Sequence, residues 1–190
     1  WGGTAGFFQL EVELNVPPTV ELIILSGGPT FTAPANITLF ANATDPDSDG
    51  AISKVEFYQG NEKIAEDAVI PFGFTWNGVK AGNYTLTARA TDNLGATVPS
   101  APVSVQVNSP PPPNDDFDLH VLLSGSSVRT NGSNLAATSQ PGEPRHATNA
   151  AGNSIWFRWK AEAKGTVTIS TRGSSVDTVL AVYTGTLGSN

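Results

Sequence analysis

The chain has 190 residues, no cysteine and no methionine, and 14% of its residues are charged. The absence of cysteine excludes a disulfide scaffold, a thiolate metal site and a cysteine nucleophile. The formal net charge of −7 argues against a nucleic-acid partner. No apolar run approaches the roughly 18 residues of a membrane helix, so we expect no membrane insertion.

Two proline-rich stretches divide the sequence. The first is a weak boundary at residues 15–18 (NVPP), and the second is the run at 109–114 (SPPPPN), whose prolines favour a stiff polyproline II spacer. We therefore predict four segments. They are a short N-terminal segment at 1–15, a domain at 16–108, a linker at 109–113 and a second domain at 114–190.

The domain at 16–108 alternates between apolar and polar side chains, which predicts half-buried β-strands. Turn signals such as Asp49-Gly50 and Asn77-Gly78 separate the strands. About seven short strands in about 90 residues are typical of an immunoglobulin-like sandwich. The expected inward-facing side chains are Ile37, Leu39, Ala41, Ala43, Val55, Phe57, Phe72, Phe74, Trp76, Tyr84, Leu86, Ala88, Ala90, Val103, Val105 and Val107.

The C-terminal domain shows the same alternation in shorter runs. It predicts strands at 155–160, 166–170 and 178–184, a weak strand near 127–130, and a long polar loop over 124–153. The fold class predicted for the whole chain is therefore all-β, with tandem β-sandwiches.

Particular motifs carry a resemblance to two bacterial families. Residues 17–108 resemble bacterial Ig-like modules of secreted enzymes and surface proteins, through 52–60 (ISKVEFYQG), 72–76 (FGFTW) and 81–92 (AGNYTLTARATD). Residues 114–190 are similar to the pre-peptidase C-terminal domain, which implies a jelly-roll-type sandwich in a secreted protein. The motifs of this second resemblance are 114–117 (NDDF), 142–147 (GEPRHA), 154–159 (SIWFRW) and 175–185 (SVDTVLAVYTG).

The second resemblance ends early, since that family continues with further strands after the motif at 175–185. Residues 1–14 look like the missing closing strand, because Phe8, Leu10, Val12 and Leu14 alternate with polar residues. Two explanations are open. The chain is either a piece of a tandem domain array, which we favour, or residues 1–14 pair with another copy by strand exchange.

The segment 45–56 is a candidate calcium site. Its acids fit the calcium-loop pattern D-x-[DN]-x-[DN]-G-x5-E at every specified position. The flanking residues alternate as strands, which excludes an EF-hand. In an Ig-like sandwich the loops at 44–51 and 92–96 share one end. The candidate ligands are Asp45, Asp47, Asp49, Asp92 and Asn93. The alternative is a solvated turn, since Asp, Ser and Gly favour turns in any case.

Three further groups of residues have both structural and functional interpretations. Asn114, Asp115, Asp116 and Asp118 either cap a first strand or bind a metal. Glu143, His146 and Asp177 are expected to form a buried hydrogen-bonded network, with a metal or ligand site as the alternative. Phe40, Tyr58 and Trp156 lie on the outer faces of their predicted strands, where they stack on sugars or pack on a neighbouring module.

Catalysis has little support in the sequence. It contains two histidines and no nucleophile elbow, HExxH motif or phosphate loop. The expected function is a non-catalytic structural or adhesive segment of a large extracellular bacterial repeat protein, a stalk or filament at the cell surface. Its partners would be neighbouring modules or copies of itself. The alternative is an accessory segment of a secreted hydrolase that binds polysaccharide or protein.

Overall fold

The computed structural model describes residues 14–25, 27–48, 50–143 and 152–184. The chain divides between Asn108 and Ser109 into two compact units, called here the N-terminal and C-terminal units. Asp49 and His146 lie outside the described residues, as does the predicted strand at 1–14 apart from its last residue. The strand-exchange hypothesis concerns that segment and stays a prediction.

The N-terminal unit has nine described strands in two sheets. The first sheet has the order β1-β3-β6 and the second β2-β9-β7-β4-β5, with β8 beside β7; all pairs are antiparallel except β2 and β9. The bounds are β1 (Thr19–Ile24), β2 (Thr30–Thr32), β3 (Ala35–Thr44), β4 (Ile52–Gln59), β5 (Glu62–Asp67), β6 (Gly73–Val79), β7 (Gly82–Asp92), β8 (Thr97–Pro99) and β9 (Val103–Asn108).

A single apolar core lies between the two sheets. Because side chains alternate along a strand, each central strand contributes one row to this core. The predicted inward rows of β3, β4 and β7 are confirmed, since Ile37, Phe57 and Leu86 are 0–1% exposed together with most of their row neighbours. Aromatic side chains also connect the sheets, with the rings of Phe57 and Phe74 6.2 Å apart. The all-β class predicted from alternation is therefore confirmed.

Strand direction places the loops of this sandwich at two ends. Thr19 at the start of β1 pairs with Thr44 at the end of β3, and Ile52 at the start of β4 pairs with Asp92 at the end of β7. We call this the entry end. Val107 near the end of β9 pairs with the first residue of β7, so the chain leaves at the opposite end, called the exit end. The outer strands of the larger sheet are β2 and β5.

The C-terminal unit contains less regular structure than its sequence predicts. Its described part has a 3-10 helix at Phe117–Leu119 and a parallel pair formed by β10 (Val121–Leu123) and β11 (Phe157–Trp159). The strands predicted at 127–130, 166–170 and 178–184 are absent from this described part. Alternating apolar and polar residues give a segment one apolar face, but the segment forms a β-strand only if a neighbouring strand hydrogen-bonds to it. Accordingly Val167, Ile169 and Val182 are 49–65% exposed.

The resemblance of residues 114–190 to a pre-peptidase C-terminal sandwich therefore stays a prediction. Among the residues that the structure describes, no helix is long and apolar enough to span a membrane.

Candidate functional site

Two aspartates extend the inward rows of facing strands at the entry end. Asp45 follows the β3 row of Leu39, Ala41 and Ala43, and Asp92 is the last member of the β7 row. Since these strands belong to opposite sheets, both acids lie at the end of the core. Asp92 is only 2% exposed. The Oδ2 atoms of Asp45 and Asp92 are both buried without a hydrogen-bond partner.

Backbone groups hold Asp92 in its ionised form. Its Oδ1 accepts hydrogen bonds from the N–H groups of Leu94, at 2.9 Å, and Ala96, at 2.8 Å. Burial opposes ionisation, but these N–H groups and the neighbouring Asn15 side chain keep the pKa of Asp92 below its usual value. The carboxylate is thus charged, buried and left with one oxygen uncompensated.

The loop from β3 to β4 closes tightly around Asp45. The Oδ1 of Asp45 accepts a hydrogen bond from the N–H of Asp47 at 3.1 Å, and the N–H of Gly50 donates to the carbonyl of Asp47 at 3.0 Å. A Cβ at position 50 would lie 2.5 Å from the Cγ of Asp45. Glycine is therefore required at this position for the carboxylate to keep its place.

Asp47 contacts the incoming chain. Its Oδ1 and Oδ2 accept the backbone N–H of Val16 at 3.3 and 3.1 Å. Both oxygens serve the same donor, so this carboxylate orients the segment that precedes β1.

Asn93 joins the two loops that were predicted to share one end. Its N–H donates to the carbonyl of Ala51 at 2.9 Å, and its side-chain Oδ1 accepts the N–H of Ala51 at 3.4 Å. The predicted neighbourhood of Asp45, Asp47, Asp92 and Asn93 is thus present at the entry end, while Asp49 falls outside the described residues.

Glu56, the last position of the calcium-loop pattern, belongs to an ion-pair network instead. Its carboxylate receives hydrogen bonds from Lys54 at 3.2 Å, Lys63 at 3.1 Å and Tyr58 at 3.2 Å, and both lysines also bind Glu66. Partial burial raises the pKa of Glu56, but the bonds from Lys63, Lys54 and Tyr58 prevail and lower it to about 2. Glu56 is therefore already neutralised within the protein.

The described entry end offers a partial set of metal ligands. Among the residues that the structure describes, no three Asp, Glu, His or Cys side chains form a group able to hold a metal ion. The site provides two carboxylates, those of Asp45 and Asp92, each with one buried oxygen that has no hydrogen-bond partner. The loops around them add amide and backbone oxygens.

The acidic cluster at the start of the C-terminal unit has a structural role. Asp115, 7% exposed, accepts hydrogen bonds from the N–H of Thr138 at 2.6 Å and its hydroxyl at 2.7 Å. The Asn114 side chain donates to the carbonyl of Trp156 at 3.0 Å. The expected buried network is wrong for Asp177, which is exposed, whereas the Oε2 of Glu143 accepts the N–H of Gln140 at 3.0 Å.

The three aromatic residues proposed as sugar platforms are largely occupied within the protein. Arg89 lies over the ring of Tyr58, 4.7 Å from its centroid, and Phe40 is half-buried. The expectation that Trp156 faces outward is wrong, since it is 8% exposed and packs edge-on against Phe117 at 5.3 Å. Trp156 precedes β11 and is fixed by pairing with Asn114, so strand alternation does not set its direction.

An open groove of about 450 Å³ crosses the outer face of the larger sheet. Register brings its polar side chains together, because Asn83 pairs with Gln106 and Thr85 with Ser104 across β7 and β9, while Thr30 of β2 pairs with Gln106. The groove thus presents hydroxyl and amide groups without a charged side chain in its lining. Sequence reasoning missed it because the grouping depends on cross-strand register.

Comparisons with known proteins agree with the fold of the N-terminal unit. The family model described as "Bacterial Ig domain" matches residues 18–88. This match confirms the predicted bacterial Ig-like character of the N-terminal unit. No curated protein matches the chain.

Several solved structures are similar to this chain. The fibronectin(III)-like modules of Clostridium thermocellum CbhA are 31% identical, with 46% of this chain and 94% of that chain covered and a TM-score of 0.40. The PKD1 domain of Vibrio anguillarum Epp is 23% identical, with 51% and 100% covered and a TM-score of 0.39. Carbohydrate-binding modules of the β-sandwich superfamily are 22% identical, with 55% and 40% covered and a TM-score of 0.43.

Proposed function

We propose that this chain is a non-catalytic structural segment of a large extracellular bacterial repeat protein, a stalk or filament in which Ig-like units act as spacers. The observation that carries the proposal is the position of the two chain ends of the N-terminal unit. The chain enters beside Thr19 at one end of the sandwich and leaves at Asn108 at the other. At about 3.3 Å per residue, the eleven-residue strand β7 spans roughly 35 Å between these two ends of the sandwich.

The terminal strands are also arranged to resist tension. β1 is antiparallel to β3 and β9 is antiparallel to β7, and each terminal strand would be pulled along its own axis. Such a load shears a ladder, so its hydrogen bonds must break together. Beyond Asn108 the chain continues into the proline run at 110–113, a composition that favours a stiff spacer. The partners of such a unit are neighbouring modules in its own chain or other copies of it.

Force spectroscopy on the full 190-residue chain tests this proposal. Because the chain lacks cysteine, a handle attaches only to introduced thiols. The variant Thr19→Cys with Asn108→Cys loads β1 and β9 in shear. The matched variant Asn61→Cys with Asn108→Cys pulls from two points at the exit end and peels β9 from β7, one pair at a time.

We expect the sheared variant to unfold at a markedly higher force and with a lower unfolding rate at equal force, since forced unfolding reports the unfolding rate constant. Equal unfolding forces for the two pulling geometries would overturn the proposed role as a spacer under tension. Urea unfolding of both variants, measured without force, checks that the two pairs of introduced cysteines leave the free energy of unfolding the same.

A second candidate function is an accessory module of a secreted hydrolase that binds polysaccharide. The polar groove on β2, β9 and β7 favours it, because hydroxyl and amide groups are suited to sugar hydroxyls. Screening the full chain against immobilised plant, bacterial and animal polysaccharides tests it. Binding that is lost in Asn83→Ala with Gln106→Ala, but kept in the outer-face control Glu62→Ala, would support this candidate. No retention on any polysaccharide would exclude it at the concentrations used.

A further inference from the structure

We propose that the entry end of the N-terminal unit binds a calcium ion, with Asp45 and Asp92 as its anionic ligands. The proposal is independent of the spacer function. It concerns the same end of the sandwich at which the chain enters and the loops after β3 and β7 meet.

The first argument is that each carboxylate has one buried oxygen without a partner. The Oδ2 atoms of Asp45 and Asp92 are buried and accept no hydrogen bond. A buried carboxylate oxygen without a donor or a cation is costly. A bound cation compensates both.

The second argument is that the described basic side chains of this unit are used elsewhere. Lys54 and Lys63 bind Glu56 and Glu66, while Arg89 covers Tyr58 on the outer face. Lys80 follows β6, whose last residue Val79 pairs with Ala35 at the exit end. The described residues of the N-terminal unit therefore give these two carboxylates no side-chain counter-ion.

The third argument is the kind of ligand available. The surroundings of Asp45 and Asp92 contain carboxylate, amide and backbone carbonyl oxygens, and residues 14–108 contain neither histidine nor cysteine. Calcium accepts six to eight oxygens in irregular geometry and fills its shell with water, whereas zinc prefers nitrogen and sulfur and magnesium needs a stricter octahedron.

The entering chain would be fixed by such an ion. The Asn15 side chain lies beside Asp92, and the N–H of Val16 binds Asp47, whose own N–H binds Asp45. These contacts link the entering segment to both loops that carry the proposed ligands. Calcium binding would therefore restrict the chain before β1 as well as the two loops.

Calcium titration of the full chain tests the proposal. The measurements are the melting temperature of the N-terminal unit by calorimetry and the amide chemical shifts of Leu94 and Ala96, with EDTA and with CaCl₂. The test variant is Asp45→Asn with Asp92→Asn, which keeps the shape of both side chains. The matched control is Asp67→Asn, another carboxylate that accepts two backbone N–H groups, those of Val69 and Gly73.

Wild type and Asp67→Asn should gain melting temperature with calcium, by an amount on the order of 10 °C at a concentration about 100 times Kd. Modules of extracellular proteins have Kd values of about 10⁻⁴ to 10⁻³ M, which sets the range to titrate. The amides of Leu94 and Ala96 should shift in the same range. In EDTA the double variant should melt somewhat lower than wild type, because the folded state favours the ionised form of Asp92, and its melting temperature should not rise when calcium is added.

Three results would overturn the proposal. They are no shift in wild type at 10 mM CaCl₂, a full calcium response in the double variant, or equal responses to calcium and magnesium at all concentrations. A double variant that has merely lost its fold would show no cooperative melting transition in EDTA, whereas a variant that melts cooperatively and ignores calcium supports the proposal.

Discussion

The backbone N–H of Val16 donates to the carboxylate of Asp47, 3.1 Å from Oδ2 and 3.3 Å from Oδ1. The bond joins residues 31 positions apart and links the chain before β1 to the loop after β3. Because the acceptor is a carboxylate, the bond is charge-assisted. The direction in which the chain enters the sandwich is therefore set by a loop outside the core.

Replacing Asp47 with alanine should release this segment. We expect Asp47→Ala to lower the free energy of unfolding by about 1 kcal/mol, because one charge-assisted hydrogen bond at a partly exposed site is lost. The amide of Val16 should exchange with solvent faster. Asp47→Asn keeps an acceptor oxygen and should preserve most of the protection. Unchanged exchange at Val16 in the alanine variant would show that the bond does not hold the segment in solution.

Phe57 is the largest fully buried side chain of the core, and its truncation should be the most damaging. Phe57→Ala should reduce the stability of the N-terminal unit by about 3–5 kcal/mol, since it removes apolar contact and leaves a cavity against Phe74. Urea unfolding followed by tryptophan fluorescence measures this change. Thr85→Ala on the outer face should stay within about 0.5 kcal/mol. Similar losses in both variants would contradict the position of the core.

The ion pairs of Glu56 should make stability depend on pH in the acid range. Its pKa is lowered from 4.5 to about 2 in the folded protein, so the folded state favours the ionised form. The resulting stabilisation is fully present above about pH 4.5 and is lost as the pH falls toward 2. Its side chain is 13% exposed, and after solvent screening we expect about 1–2 kcal/mol.

Urea unfolding at pH 6, 4 and 2 should show this loss in the wild type. Glu56→Gln should be less stable than wild type at pH 6, and the difference should shrink at pH 2. The exposed control Glu62→Gln should have the same free energy of unfolding as the wild type at each pH. If Glu56→Gln kept the same difference at both pH values, the ion pairs would not be the cause.

Asp115 should stabilise the C-terminal unit without affecting the N-terminal unit. Asp115→Ala leaves the N–H and hydroxyl of Thr138 without their acceptor and should cost about 1–3 kcal/mol. Hydrogen exchange should become faster at Thr138, while Ile37 in β3 keeps its protection. The exposed neighbour Asp118 supplies the control variant Asp118→Ala. Faster exchange in both units would mean that they do not unfold separately.

The sequence predicted the N-terminal unit well because its signal is local. Alternation in β3, β4 and β7 directly reports which side chains face the core, and glycine-containing turns mark where strands end. The neighbourhood of Asp45, Asp92 and Asn93 followed from the same information. Once strands and their order are known, sandwich topology decides which loops meet.

What the sequence could not predict depends on specific partners. The ion pairs of Glu56 with two lysines depend on the pairing of β4 with β5. The burial of Trp156 depends on its hydrogen bonds with Asn114. The alternation at 166–170 and 178–184 is genuine, yet a local pattern does not supply a neighbouring strand. The short strands β2 and β8 were not predicted either, because three residues are too few to show an alternating pattern.

The outer strands of the larger sheet have a consequence for folding among near-identical neighbours. β2 is only three residues long and lies between Pro29 and Pro34, while β5 carries Glu62, Lys63 and Glu66 on its short length. Prolines lack an N–H and exposed charges resist a further strand, so neither edge readily accepts one. In a protein that carries such units in series, the same strand of the next unit is always close by. These two edges would therefore limit strand exchange between neighbouring units through the larger sheet.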